Sequence, residues 1–181
     1  MINRTNTHQK ISTVRCLVVD LFLVLFLVIA DQAAKKLAYV YLKNQPSVSL
    51  IPGVLELHYL YPENRGIAFG MFQGSVLFFA VVSILFLLVL IYAWMRIPKE
   101  RFYLPLLTIA AVLASGALGN FIDRFFRGYV IDFIYFSLID FPVFNIADIY
   151  VVCGGIALVL LVIFKYKDED FDFLYRNKKD K

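Results

Sequence analysis

Residues 116–148 read GALGNFIDRFFRGYVIDFIYFSLIDFPVFNIAD and lie between two long apolar runs. The segment carries Asp123, Arg124, Arg127, Asp132, Asp140 and Asp148, with Asn120 and Asn145 among them. An ionised side chain at bilayer depth costs roughly 2.5–3.5 kcal/mol on insertion scales, so charges retained beside membrane segments point to function. Two acids stand apart by context. Asp132 sits in the apolar run VIDFI, and Asp148 closes NIAD where the next apolar run begins. These two carboxylates are the candidate catalytic groups, and the rest of the chain is read as what places them.

The flanking runs point to the fold class: an all-α membrane protein of four transmembrane helices with a small β-sheet on one side. With 61% hydrophobic side chains, 18% charged ones and a mean hydropathy of +0.74, the 181-residue chain is too apolar for an ordinary soluble domain. Its length suits one membrane-embedded domain over 1–181. The net charge of +4 is dispersed among the apolar runs, which excludes a nucleic-acid surface and fits membrane topology. Crossing ~30 Å of hydrocarbon takes about twenty residues, and the expected spans are 17–30 continuing outward, 75–95, 102–121 and 149–165. A basic leader before an apolar run also describes a signal peptide, but no small-x-small cleavage site follows and further spans do.

Working outward from the opening stretch, ASGALG supplies small residues that let helices approach closely. The third span is expected to start near Phe102, with Pro105 in its first turn, and to run on through NFIDRFF to Gly128. This puts Asn120, Asp123 and Arg124 on one face. YVIDFIYF alternates as a strand does, with Val130, Asp132 and Ile134 on one side. Asn145 suits a helix N-cap with Asp148 at the third position, so Asp148 is read either as a capping acid or as a catalytic one. Upstream, residues 44–74 hold the helix breakers Pro46, Pro52 and Gly53 and the strand-like VLELHYLY, with His58 on its surface. Asp31 and Lys35 are four apart, giving either an exposed pair or one that orients the catalytic region. Asp20 reads as interfacial, Cys16 and Cys153 as inert buried thiols, and the tail from Lys165 as loosely ordered.

Four spans place both termini on one side. Basic residues in the amino-terminal segment, the 96–101 loop and the start of the tail make that side cytoplasmic and the site extracytoplasmic. Two carboxylates in a partly desolvated site cannot both ionise cheaply, so the pair holds one proton near neutrality. That state suits peptide hydrolysis, with one acid taking a proton from water and the other donating to the carbonyl. Asp148 at a helix amino end favours the anion, and Asp132 between Ile131 and Phe133 has no donors in its sequence surroundings, so the proton is expected on Asp132. No rival nucleophile or HExxH motif is present, and with two histidines a His-based metal site is not expected.

In this order and spacing, NRGIAFG (64–70), GNFIDR (119–124), GYVIDFI (128–134) and FNIADIYVVCGG (144–155) resemble the lipoprotein signal peptidases, or signal peptidase II, which are bacterial inner-membrane aspartyl proteases. The resemblance covers nearly all of 17–164 and implies a fold of four membrane helices with a small extracytoplasmic sheet and lid. It implies that Asp132 and Asp148 are the catalytic dyad, with Asn64, Asn120, Arg124 and Asn145 as supporting polar residues and Asp31 and Lys35 as the polar end of the first helix. It also implies the substrate, a prolipoprotein cut just before a diacylglyceryl-modified cysteine at the membrane lipid surface, with no cofactor and no obligate protein partner. GIAFG departs from the family, whose members commonly carry serine after the phenylalanine, and the charged tail is longer. The alternatives are another intramembrane aspartyl protease, whose GxGD signature is absent, a scaffold, which needs no isolated acids, and a small proton-coupled transporter using the same acids as a relay. No internal repeat supports the transporter.

Overall fold

The structure is a computed structural model and describes residues 9–65 and 76–175. The GIAFG departure at 66–70 and the last residues of the tail lie outside the described residues. Among the described residues, four helices are long and apolar enough to cross a membrane: α1 (Thr13–Tyr41), α2 (Val76–Arg96), α3 (Leu104–Arg127) and α4 (Ile146–Phe164). α1 has 29 residues, about 44 Å at 1.5 Å per residue, so it outruns ~30 Å of hydrocarbon, with Asp31 and Lys35 in its second half.

α3 is the inner helix. In its most apolar window 56% of residues are buried, against 11% in each of the other three helices. Its small residues explain this. A Cβ at Gly116 would stand 2.5 Å from the Ala147 carbonyl oxygen, and one at Gly119 would stand 2.6 Å from Asp31 Oδ2. Glycine thus lets α4 and α1 close onto α3 at one end of the bundle. Pro105 lies in the first turn of α3, and Gly128 ends the helix at φ 75°, a left-handed cap. Large side chains such as Phe22, Phe26, Leu85, Val89 and Ile163 are left exposed on the outside of the bundle, as hydrocarbon contact requires.

Beyond the glycine-rich end, β1 (Val48–Ile51), β2 (Leu55–Leu57) and β3 (Ile134–Tyr135) form an antiparallel sheet in the order β1-β2-β3. The strands are shorter than the alternation of 54–61 and 129–136 suggested. His58 falls just past β2, with its backbone N–H donating to the Phe133 carbonyl at 2.9 Å. Val130, Ile131, Asp132 and Phe133 are all buried, so the two faces expected for this run are both covered. The cover is an apolar cluster of Ala38, Leu42, Tyr59, Ile131 and Phe133.

Three expectations are corrected elsewhere in the bundle. The tail is ordered through a 3-10 turn (Asp168–Phe171) and α5 (Asp172–Tyr175), because its aromatic residues dock. Phe171 and Phe173 pack on a cluster of Cys16, Ile97, Tyr103, Leu106, Leu107 and Tyr166. The Tyr103 and Tyr166 rings stack 5.8 Å apart, and Tyr103 Oη donates to the Asp170 carbonyl at 2.9 Å. Asp20 is buried rather than interfacial, its Oδ2 accepting from Trp94 Nε1 at 2.7 Å. Cys153 is exposed on α4, while Cys16 is buried.

Candidate active site

The amino end of α4 is built by its own first turn. Asn145 is the N-cap, and its Oδ1 accepts from the Asp148 N–H at 3.1 Å. In return Asp148 Oδ2 accepts from the Asn145 N–H at 3.1 Å. This is the capping box read from NIAD, and it fixes the Asp148 carboxylate against the helix end, where unpaired N–H groups and the helix dipole favour an anion. The other oxygen, Oδ1, takes Asn120 Nδ2 from α3 at 2.7 Å. Capping therefore leaves Asp148 available for a second role.

Asp132 lies on the chain between α3 and β3, which the sheet side holds by backbone bonds. Val130 N–H donates to the Asn64 carbonyl at 2.9 Å, and Leu60 N–H to the Asp132 carbonyl at 3.0 Å. The side chain is withdrawn from solvent, with 2% of the residue exposed. It is not short of donors, as its sequence neighbours suggested. Asn64 Nδ2 reaches Oδ2 at 2.8 Å, and Asn145 Nδ2 reaches Oδ1 at 2.6 Å. Burial, and then the nearby Asp148 carboxylate, still outweigh these bonds and push the Asp132 carboxyl up to about 6.

Asn145 thus touches both acids, through its side chain to Asp132 and its backbone to Asp148. Asn120 completes the set, its Oδ1 accepting from Asn145 Nδ2 at 3.1 Å. Among the described residues, each carboxylate receives two neutral N–H donors and no salt bridge. Arg124, one turn past Asn120 on α3, donates from Nη1 to the Asn120 carbonyl at 3.4 Å. With Asn120 and Asp148 it lines a cavity of about 260 Å³ between α2, α3 and α4, whose other walls include Val82, Phe86, Val151 and Val152.

Asp31 and Lys35 are not an exposed pair. Both side chains are fully buried, with Lys35 Nζ 2.9 Å from Asp31 Oδ2 and 3.0 Å from Asp123 Oδ2. Its third contact, at 2.9 Å, is Asn120 Oδ1, which joins this charged group to the candidate dyad. The structure therefore brings all eight sequence-derived site residues into one connected region and adds three: Gln32, Asp123 and Arg127. Gln32 Nε2 reaches Asp31 Oδ2 and the Gly119 carbonyl at 3.1 Å and Asp123 Oδ1 at 3.2 Å, and Arg127 pairs with Asp123. Asp123 and Arg127 are an i,i+4 pair like Asp31 and Lys35, a repetition visible in the sequence. Gln32 had no such signal.

Four membrane helices holding a pair of amide-supported carboxylates at one end describe a membrane enzyme, and known proteins agree. The model of the signal peptidase (SPase) II family matches residues 23–164. A lipoprotein signal peptidase of Caldanaerobacter subterraneus is 44% identical over 144 residues, 79% of this chain and 94% of that protein. The one from Staphylococcus aureus is 34% identical over 164 residues, 90% of this chain and 93% of that protein. A solved bacterial membrane enzyme superposes with a TM-score of 0.73 at 30% identity, covering 96% of this chain and 97% of its own. The chain belongs to the lipoprotein signal peptidase (signal peptidase II) family.

Proposed function

We propose that this chain is an aspartic endopeptidase that removes the signal peptide from diacylglyceryl-modified prolipoproteins, cutting just before the lipidated cysteine, with Asp132 and Asp148 as the catalytic dyad. The observation that carries the reading is the bridge through Asn145, which ties a buried acid to a helix-end acid using neutral donors alone. When the pair holds one proton it rests on Asp132, and Asp148 is the anion, favoured by the helix end and by Arg124 in the shared cavity. Asp148 takes a proton from water, whose oxygen attacks the scissile carbonyl, while Asp132 donates its proton to the carbonyl oxygen. Collapse of the tetrahedral intermediate returns a proton to Asp132 and passes the other from Asp148 to the departing cysteine nitrogen, which restores the dyad. The apolar cavity beside Asp148 suits an apolar segment of a substrate arriving through the bilayer, and a lipid anchor turns a bimolecular search into a local one.

The domain works as a single membrane-embedded unit with both termini cytoplasmic and the dyad on the extracytoplasmic face of a bacterial inner membrane. Support comes from the basic side chains Lys10, Arg15, Arg101 and Lys165, which gather at the bundle end away from the dyad. A membrane-impermeant thiol reagent should label a cysteine placed at Asn44 and spare one at Lys99 in spheroplasts, and the reverse pattern overturns the orientation. The activity is tested by incubating purified protein with lipidated and unlipidated preprolipoprotein. Loss of the signal peptide from the lipidated form alone is expected, and equal turnover of both would refute the substrate assignment.

A further inference from the structure

The buried charges behind the dyad form a closed arrangement. The ammonium of Lys35 has three donors and no acceptor, and its three partners are Asp31 Oδ2, Asp123 Oδ2 and Asn120 Oδ1. The two carboxylates reach further. Asp31 Oδ1 accepts from the Ala147 N–H at 3.0 Å, and Asp123 Oδ2 from the Ile131 N–H at 3.3 Å. Ala147 immediately precedes Asp148, and Ile131 immediately precedes Asp132. Each carboxylate of the buried cluster therefore grips the backbone beside one acid of the dyad, and Lys35 joins the two grips.

We propose that Asp31, Lys35 and Asp123 are a brace of positioning residues that sets the separation of Asp132 and Asp148 and the orientation of the Asn120 amide between them. The second half follows from donor counting. A cation that only donates holds the Asn120 oxygen towards itself, and Asn145 Nδ2 donates to that oxygen as well. The Asn120 NH2 must then face Asp148, where it is found. Without Lys35 the amide is free to turn its oxygen to Asp148, which withdraws a donor from the anion. With Arg127 on Asp123 the cluster holds two cations and two anions, so the brace is neutral as a whole. The charged groups that meet Lys35 are Asp31 on its own helix, Asp123 on α3 and Asp132 on the chain after it. Beyond them, Arg127 meets Asp123, Tyr150 on α4 lies near Asp31, and Arg124 and Asp148 both contact Asn120.

This inference rests on the dyad reading above, and its test is chosen to separate the two. Lys35→Met/Asp123→Asn removes one positive and one negative charge together, so the net charge of the cluster is unchanged. In the folded double variant kcat should fall at least about tenfold with KM within about twofold, since positioning is expressed in the transition state. The acids drift apart and couple less, so their two apparent pKa values should approach by about one pH unit, with the acid limb moving up. That narrowing is read from the pH profile of cleavage and, without substrate, from infrared titration of protein labelled at aspartate. An unchanged titration in a folded double variant overturns the brace. If the wild type does not cleave, the peptidase reading falls, and the titration still judges the brace. If the double variant does not fold, magic-angle-spinning NMR on the wild type decides. A correlation between Asn120 15Nδ2 and Asp148 13Cγ is required, and an amide turned the other way refutes the proposal.

Discussion

Two pairs of aspartates share one end of the bundle and are treated in opposite ways. Asp31 and Asp123 are fully buried and met by cations, Lys35 between them and Arg127 at the edge. Asp132 and Asp148 are met by the amides of Asn64, Asn120 and Asn145 and by the Asn145 backbone. A cation at hydrogen-bond distance fixes a carboxylate as an anion. Amide donors hold its geometry while leaving the proton free to move between two acids. The first treatment builds a rigid support, and the second builds a site that can exchange a proton.

The difference is sharpest when one charge is removed alone. Lys35→Met leaves Asp31 and Asp123 facing each other without the cation between them, and stripping one partner from a buried ionic group costs about 3–5 kcal/mol. Thermal unfolding in detergent micelles should show this loss. A change below about 1 kcal/mol would mean that the cluster is not ionic.

The amide-supported pair should behave in the opposite sense. Asp132 has its carboxyl raised from 3.8 to about 6, so its folded state favours the protonated form. The stability this contributes is fully present below about pH 4 and is lost as pH rises through 6, a swing of roughly 3 kcal/mol if burial acts in full. Asp132→Asn should therefore match the wild type in stability near pH 4 and exceed it at pH 8, while the active site is lost. Equal pH dependence of unfolding in the two proteins would place the raised carboxyl elsewhere. At the small end of the scale, Asp140→Asn should leave both cleavage and stability within error. Asp140 accepts from Tyr135 Oη on an exposed turn and touches neither pair, so a loss of activity there would extend the site beyond the region described.

How much of this was legible in the sequence follows the same division. The four spans, the Gly128 stop and the N-cap at Asn145 were readable because each depends on residues close in the chain: apolar runs, a left-handed cap and a capping box. Asp132 and Asp148 were readable because an isolated acid in an apolar run is costly and so conspicuous. The brace was not, although Asp31 and Lys35 were noticed, because an i,i+4 pair looks the same on a surface and in a core. Its burial depends on Gly119, where the missing Cβ lets Asp31 reach α3, and on Asp123, ninety-two positions further on. The donors to Asp132 were hidden for the same reason. They come from Asn64 and Asn145, sixty-eight and thirteen residues away. The order of the tail was missed because its charges were weighed and the docking of Phe171 and Phe173 was not.

The central claim is that the amide-supported pair carries the chemistry. It is tested most directly by the single-turnover rate of signal-peptide removal from a lipidated preprolipoprotein by purified Asp132→Asn and Asp148→Asn proteins, each checked to be folded. Loss of either half of an acid–base pair removes a contribution of about 10²–10⁴, so both rates should fall at least about a hundredfold. A rate within tenfold of wild type for either variant would contradict the account.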